Sequence, residues 1–422
     1  MGVRAGYKQT EVGVIPADWS VMPFGQLFAF TNGVNADKTA YGKGFRFINV
    51  LEPISYSHIY GPEIPGRVQV SGAVALAYSV KPGDIVFNRT SETDSELGLA
   101  AVYLGDEQVV FGGFVIRGRP VDDDLDPRYA GYALRSEVIR SQIIPMGQGA
   151  VRANIGQQNL RQVLAVVPPK SEQRAIATAL SDADALLDGL TRLIAKKRDL
   201  KHATMQQLLT GHTRLPGFSG EWKVNRLGDT AVLKARIGWQ GLTTAEYLEA
   251  GDFYLVTGTD FQDGYIDWKH CHFVDECRYK QDKYIQLRPH DILVTKDGTI
   301  GKVALVPYLP GSATLNSGVF VIRPLADAFD PEFFYYLLCS RAFKDFLDQL
   351  CAGSTISHLY QKDFVSFIYR TPPTLEEQTA IAAALSDMDA ELAALEARFT
   401  KTRALKQAMM SELLTGKTRL RT

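Results

Sequence analysis

Residues Glu172–Leu215 read EQRAIATALSDADALLDGLTRLIAKKRDLKHATMQQLLTGHTRL, and residues Glu377–Leu420 read EQTAIAAALSDMDAELAALEARFTKTRALKQAMMSELLTGKTRL. At a constant offset, 26 of the 44 positions match. The period of about 200 residues is far longer than the roughly 20–50 of a solenoid unit, so the chain is two copies of a large module. A duplicated module in one polypeptide suits a target with two parts.

The spacing within each copy dictates a helix. Ile176, Leu180, Ala183, Leu187, Leu190, Ile194, Lys197, Lys201, Thr204 and Leu208 alternate in steps of four and three. Ile381, Leu385, Met388, Leu392, Leu395, Phe399, Thr402, Lys406, Met409 and Leu413 do the same. A sustained 3.5-residue period gives the narrow seam of a coiled coil. Thr374 followed by Glu377 reads as a capping box, and Gly211 and Gly416 as stops. About 39 helical residues make a rod of roughly 58 Å. Two such rods pack most simply on each other, antiparallel if the internal axis is two-fold. Lys197, Lys201 and Lys406 interrupt the seam, setting register or leaving a surface for a partner helix.

Outward from the helices, the duplication continues in order. Trp19 precedes Gly25 as Trp222 precedes Gly228, each after a Pro-led turn at Ile15-Pro16 and Leu215-Pro216. Lys81-Pro82-Gly83-Asp84-Ile85 echoes Arg288-Pro289-His290-Asp291-Ile292, and Phe114-Val115-Ile116-Arg117 echoes Phe320-Val321-Ile322-Arg323. Asp126-Pro127 returns as Asp330-Pro331, and Pro168-Pro169 as Pro372-Pro373. Between these landmarks the copies diverge. Each copy is thus a variable globular domain followed by a long helix.

The totals bound the class. A chain of 422 residues with 45% hydrophobic and 10% aromatic content suits two or more packed domains. No apolar run reaches the ~18 residues of a membrane span, and MGVRAGYKQTEVG lacks the apolar core of a signal peptide. A cytoplasmic location is the expectation. Cys271, Cys277, Cys339 and Cys351 all fall in the second copy, so they form no shared framework and read as reduced thiols. The net charge of −1 and pI near 6.7 argue mildly against a nucleic-acid binder. Positive charge is nevertheless concentrated late in each helix, at Arg192, Lys196, Lys197, Arg198, Lys201 and Arg214, and at Arg398, Lys401, Arg403, Lys406, Lys417, Arg419 and Arg421. This clustering complements the helix macrodipole, and it equally suits phosphate or a partner; Lys196, Lys201, Lys401 and Lys406 are the candidates.

Motifs for chemistry fail one by one. Gly416-Lys417-Thr418 lacks the earlier glycine of a phosphate loop, and Lys296-Asp297-Gly298-Thr299-Ile300-Gly301-Lys302 fails likewise and reads as a glycine-rich loop between strands. His270-Cys271-His272 with Cys277 has poor spacing and geometry for zinc. Asp122-Asp123-Asp124 reads as a solvated loop. The Pro pairs lack the flanking acidic or amide and aromatic residues of an amino-methyltransferase motif. No cofactor loop, nuclease carboxylate cluster, catalytic residue or metal site is read from the sequence.

What remains is a recognition surface. Gln148-Gly149-Ala150-Val151-Arg152-Ala153-Asn154 corresponds to Ala352-Gly353-Ser354-Thr355-Ile356-Ser357-His358. Arg, Asn, Gln and Ser are side chains that read base edges in the major groove. Arg152, Asn154, Lys296, Thr355 and His358 are expected near DNA, with Arg89, Arg236 and Gln240 as further candidates; any one of them is equally an ordinary polar loop residue.

The order of these parts resembles the specificity subunit of type I DNA restriction-modification enzymes. The resemblance is carried by GYKQTEVGVIPADW at Gly6–Trp19, LLTGHTRLPGFSGEW at Leu208–Trp222, the Pro-Pro…Glu-Gln openings and LLTGKTRL at Leu413–Leu420, and covers the whole chain. It implies a mixed, α+β-like α/β fold. Two strand-rich target-recognition domains, 1–170 and 215–371, would be separated by spacer helices 171–214 and 372–422 in a pseudo-two-fold antiparallel coiled coil. It implies that each domain reads one half of an asymmetric bipartite site in double-stranded DNA. The partners implied are two methylation subunits, with restriction-translocase subunits added for cleavage, and the subunit itself is non-catalytic, without a cofactor. A coiled-coil scaffold with no DNA role, or a single-chain modification enzyme, are the alternatives.

Overall fold

The sustained 4-3 spacing yields two α-helices of 39 residues, Lys170–Leu208 and Leu375–Leu413. They belong to a computed structural model that describes residues 4–149, 152–237, 241–350 and 358–420. The chain divides inside both helices, into Met1–Thr191 with Ala397–Thr422, and Arg192–Glu396. Each unit therefore contains one strand-rich body, the first half of the helix that follows it and the second half of the other long helix.

Local chemistry sets the helix ends. Each helix opens behind a Pro pair with acids in its first turn, Glu172 in one and Glu376 and Glu377 in the other, which complement the N-terminal dipole. Thr374 Oγ1 accepts from the Glu377 amide at 3.4 Å. Only half of the capping box forms, because the Glu377 carboxylate binds Arg214 instead. Beyond the last turns Gly211 and Gly416 adopt φ of 74° and 70°, the left-handed stop that glycine takes without strain.

In the first unit, helix residues Ile176, Ala177 and Leu180 join Leu413 and Leu414 in a core with Ile15, Trp19, Tyr129 and Tyr132. Glu172 meets Arg419 and Asp184 meets Lys406, so the two helix halves run antiparallel within this unit. In the second unit Ile381, Ala382 and Leu385 join Met205, Leu208 and Leu209 around Trp222. There Glu377 meets Arg214, Asp389 meets Lys201 and Glu391 meets Lys197, again antiparallel.

The strand-rich bodies follow one plan with different filling. The first has a five-stranded sheet in the order Phe28–Asn32, Val115–Pro120, Ile85–Asn88, Ala100–Tyr103, His58–Ile59, and a four-stranded sheet built around Tyr41–Ile48 and Val109–Phe111. The second has a four-stranded sheet, Ala231–Ala235, Val319–Pro324, Asp291–Thr295, Val303–Val306, and a three-stranded sheet centred on Phe253–Val256. Strand register corrects one sequence correspondence by two residues. Gly118 pairs with Ile85, and Ile322 with Ile292, so Arg323 matches Arg119 and not Arg117. The chemistry agrees: Arg119 forks onto buried Asp84 at 2.9 and 2.7 Å, and Arg323 onto buried Asp291 at 2.6 Å twice. Repeated hydrophobic letters suggested the wrong frame, and the buried ion pair fixes the right one.

The Gln of each Glu-Gln opening ties helix to body. Gln173 Oε1 accepts from the Asp126 amide at 2.7 Å, and Gln378 Oε1 from the Asp330 amide at 2.9 Å. Asp126 and Asp330 in turn cap the helices Pro127–Ala133 and Pro331–Leu338, each with Pro at its start.

Candidate nucleic-acid interface

In the first unit, the strand Ile85–Asn88 runs out into Arg89. Its amide donates to Phe114 O at 2.9 Å and its carbonyl accepts from Ile155 N at 3.0 Å, fixing the backbone on both sides. Next, Thr90 and Ser91 pair antiparallel with Asn154 and Ala153. Asn154 Oδ1 accepts from Thr90 Oγ1 at 2.6 Å, and its Nδ2 donates to Arg152 O at 3.0 Å. Gly149 turns at φ 125°, and a Cβ there would lie 2.3 Å from Arg152 O, so the turn needs glycine. The Arg152 guanidinium reaches Glu92 at 2.7 Å. Arg89, Arg152 and Asn154 are thus brought together at one edge.

The second unit repeats the frame with other side chains. The Lys296 amide donates to Gly318 O at 2.9 Å and its carbonyl accepts from Leu359 N at 2.8 Å. Asp297 bridges antiparallel to His358, and the two side chains are hydrogen-bonded. Lys296 therefore occupies the place of Arg89, Asp297 that of Thr90, and His358 that of Asn154. Burial lowers the Lys296 pKa, and its ammonium lies 5.4 Å from the Phe320 ring centroid. The ring of Tyr360, itself exposed, lies 4.6 Å from that of His358. The segment Lys296–Lys302 is the loop between strands that the sequence suggests, joining Asp291–Thr295 to Val303–Val306.

Thr355 and Gln240 lie outside the described residues. Arg236 is a correction. It is 1% exposed, and its guanidinium donates to Leu315 O at 2.8 Å, Thr314 Oγ1 at 3.2 Å and Gln281 Oε1 at 3.3 Å. It braces the interior instead of facing DNA. The helix lysines divide into two kinds. Lys196 and Lys401 are exposed. Lys201 and Lys406 are committed internally, which corrects their reading as partner or phosphate contacts. Lys406 pairs with Asp184, which accepts from Tyr132 Oη at 2.8 Å; Lys201 pairs with Asp389, which accepts from Tyr336 Oη at 2.8 Å. Burial, then the Asp hydrogen bond, raises both tyrosine pKa values, so both hydroxyls stay protonated donors. Sequence reasoning missed Thr90, Glu92 and Asp297. Asp297 sits beside Lys296 in the quoted loop, but no spacing rule marks the others.

No group of His, Cys, Asp and Glu suited to a metal ion occurs among the described residues. His270 is paired with Asp267 at 2.6 Å, and burial pushes the Cys271 thiol up to about 12, so it is no ready thiolate. No described helix is long and apolar enough to cross a membrane.

Residues 219–405 match the type I restriction modification DNA specificity domain. Across 428 aligned residues the chain is 25% identical to the assigned specificity subunit of type I restriction enzyme MjaX of Methanocaldococcus jannaschii, covering 99% of this chain and 97% of that one. It is 22% identical to the MjaVIII specificity subunit of the same organism, over 96% and 94% of the two chains. The crystal structure of the type I restriction-modification S subunit from M. genitalium superposes with a TM-score of 0.59 over 98% of each chain, at 18% identity. A repeated helix and two strand-rich bodies with matching loop frames stand beside these similarities and point the same way: residues 219–405 match the type I DNA specificity domain, and the chain as a whole is similar to the specificity subunits of type I restriction enzymes.

Proposed function

We propose that each strand-rich body reads one half of an asymmetric, bipartite site in double-stranded DNA. The first reads through Arg89, Arg152 and Asn154, and the second through Lys296 and His358. The observation that carries this reading is the shared frame. Two loops with the same backbone bonds present Arg89, Thr90 and Asn154 in one unit and Lys296, Asp297 and His358 in the other. A constant frame with interchangeable tips is what reading two different base sequences requires. The domains are taken as 1–170 and 215–371, with 171–214 and 372–422 as spacers that set the gap. The chain carries no catalysis. Two methylation subunits docked on the helices, and restriction-translocase subunits where cleavage occurs, supply the chemistry in the cytoplasm. Near-neutral charge is consistent with partners that also grip phosphates.

The test is an exchange of residues 15–165 for those of a relative, followed by sequencing of methylated sites. One half of the target should change and the other stay; a change in both halves, or in neither, would refute independent reading. Adding four residues to each repeated helix lengthens a rod by about 6 Å. An unaltered gap between half-sites in that variant would remove the spacer role while leaving the recognition role in place.

A further inference from the structure

Arg152 shares its place with an acid that the recognition reading does not use. Glu92 and Arg152 form an ion pair at 2.7 Å with side chains 71% and 59% exposed. Pairs this exposed hold weakly and exchange readily. Both residues line one cleft with Asn49, Thr90, Glu96 and Phe114, and the Phe114 ring is 54% exposed. Glu92 and Glu96 outnumber the single cation Arg152 in that lining. The balance is wrong for phosphate, which cations hold. It is right for an amino group on a base edge, which needs an acceptor.

The loop carrying Glu92 is held from beneath. Buried Arg140 donates to Leu97 O at 2.5 Å and Ser95 O at 2.9 Å, and buried Asn88 donates to Glu96 O at 3.0 Å. Ser91 Oγ donates to Glu96 Oε2 at 2.9 Å. A braced loop presents its carboxylate at a fixed position, as direct readout demands. In the second unit Asp297, which takes the place of Thr90, is bound to His358.

We propose that Glu92 is a specificity-determining residue: its carboxylate accepts a hydrogen bond from an exocyclic amino group in the major groove, cytosine N4 or adenine N6. Arg152, released from Glu92, turns to acceptors of a neighbouring base. The inference rests on the recognition reading given above for Arg152.

The experiment uses the assembled methylation complex and sequences its methylated sites for the wild-type chain, Glu92→Gln, Glu92→Asp and Arg152→Ala. Glu92 is exposed, so its variants keep the fold, checked by their melting curves. Glu92→Gln should lower discrimination at one position of one half-site by at least about fivefold, the lower bound for one base contact. The base preferred there by the wild type, C or A, identifies the amino group, and Arg152→Ala should alter the same half. An altered pattern for Arg152→Ala with an unaltered one for Glu92→Gln and Glu92→Asp overturns the role of Glu92 and leaves the recognition reading standing. Tighter binding of Glu92→Gln to unrelated DNA with an unaltered pattern also overturns it, because Glu92 would then only mask Arg152. Unaltered patterns for every variant overturn both.

Discussion

The cluster that fastens helix to body occurs in both units, and the two differ in their bonds. In the first unit, Trp19 Nε1 donates to Glu172 at 2.9 Å, and Arg419 forks onto Glu172 at 2.6 Å twice and onto Asp18 at 2.9 Å twice. In the second, Arg214 forks onto Glu377 at 2.5 Å twice and donates to Gly220 O and Ser219 O at 2.6 and 3.0 Å. Buried Trp222 Nε1 has no acceptor among the described residues. The second unit connects these pieces through the continuous stretch Leu208–Trp222, whereas the first must bring Arg419 to a segment 401 residues away. The extra bonds occur where the peptide link is missing. Side-chain pairing and chain continuity are, at this place, alternative ways of fastening the same joint.

Removing the shared acid should give the largest effect. Glu377→Ala leaves the largely buried Arg214 without a carboxylate partner, a loss of about 3–5 kcal/mol. Glu172→Ala should cost less, because Arg419 keeps Asp18, even though the Trp19 hydrogen bond, worth roughly 1 kcal/mol, is lost as well. Urea unfolding of both variants measures this, and equal losses would erase the difference drawn between the two joints. Next comes the contrast between tip and helix. Arg152→Ala should remove about 1–3 kcal/mol of discrimination at one half-site. Exposed Lys401→Ala should weaken all sites alike and lower the salt slope, read from binding at several salt concentrations. A changed sequence preference in Lys401→Ala would break the division of labour.

Smaller effects sharpen the comparison further. Trp19→Phe should cost roughly 1 kcal/mol more than Trp222→Phe, since only Trp19 gives up a made hydrogen bond. Melting of the two variants at equal concentration compares them. The last effect is pH-dependent and belongs to the first unit. Burial above all lowers the His58 pKa below its usual 6.5. Stability from its neutral form is then fully present above about pH 6.5. It declines as pH falls through the lower folded value, with a slope of at most about 1.4 kcal/mol for each step of one in pH. His58→Gln should flatten that decline in unfolding curves measured between pH 7 and pH 5. Tyr265 stands in the matching place of the second unit, because Val102 N bonds to Ser57 O as Leu305 N bonds to Gly264 O. A decline unchanged in His58→Gln would assign it to other groups.

The helices, their antiparallel pairing within each unit and the order of landmarks were legible in the sequence, because a 3.5-residue seam and a buried Trp, Glu or Gln tolerate few substitutes. Lys201 and Lys406 were misread for an instructive reason. A lysine in an apolar seam looks like a vacancy until the third element arrives, and here Tyr336 and Tyr132 come from the globular bodies, not from the helices. Arg236 misled in the same way: a loop arginine and one that ties interior carbonyls look alike without depth. The correspondence of Asn154 with His358 was visible from the duplication, while the approach of Arg89 to Asn154 and the neighbouring Glu92 were not, since the Glu92 loop is positioned by Arg140 from a distant helix.

The split composition of the first unit gives synthesis a direction. Asp18 and Arg419 are made 401 residues apart, so at 5–20 residues per second the bond between them waits roughly 20–80 s for its second half. The second unit, drawn from one uninterrupted stretch, can close earlier although it is begun later. The body that leaves the ribosome first is the last to be finished. A chain stopped short of Gly416 would leave its defect at the opposite end of the polypeptide, where Tyr7, Trp19 and Glu172 would miss their partners.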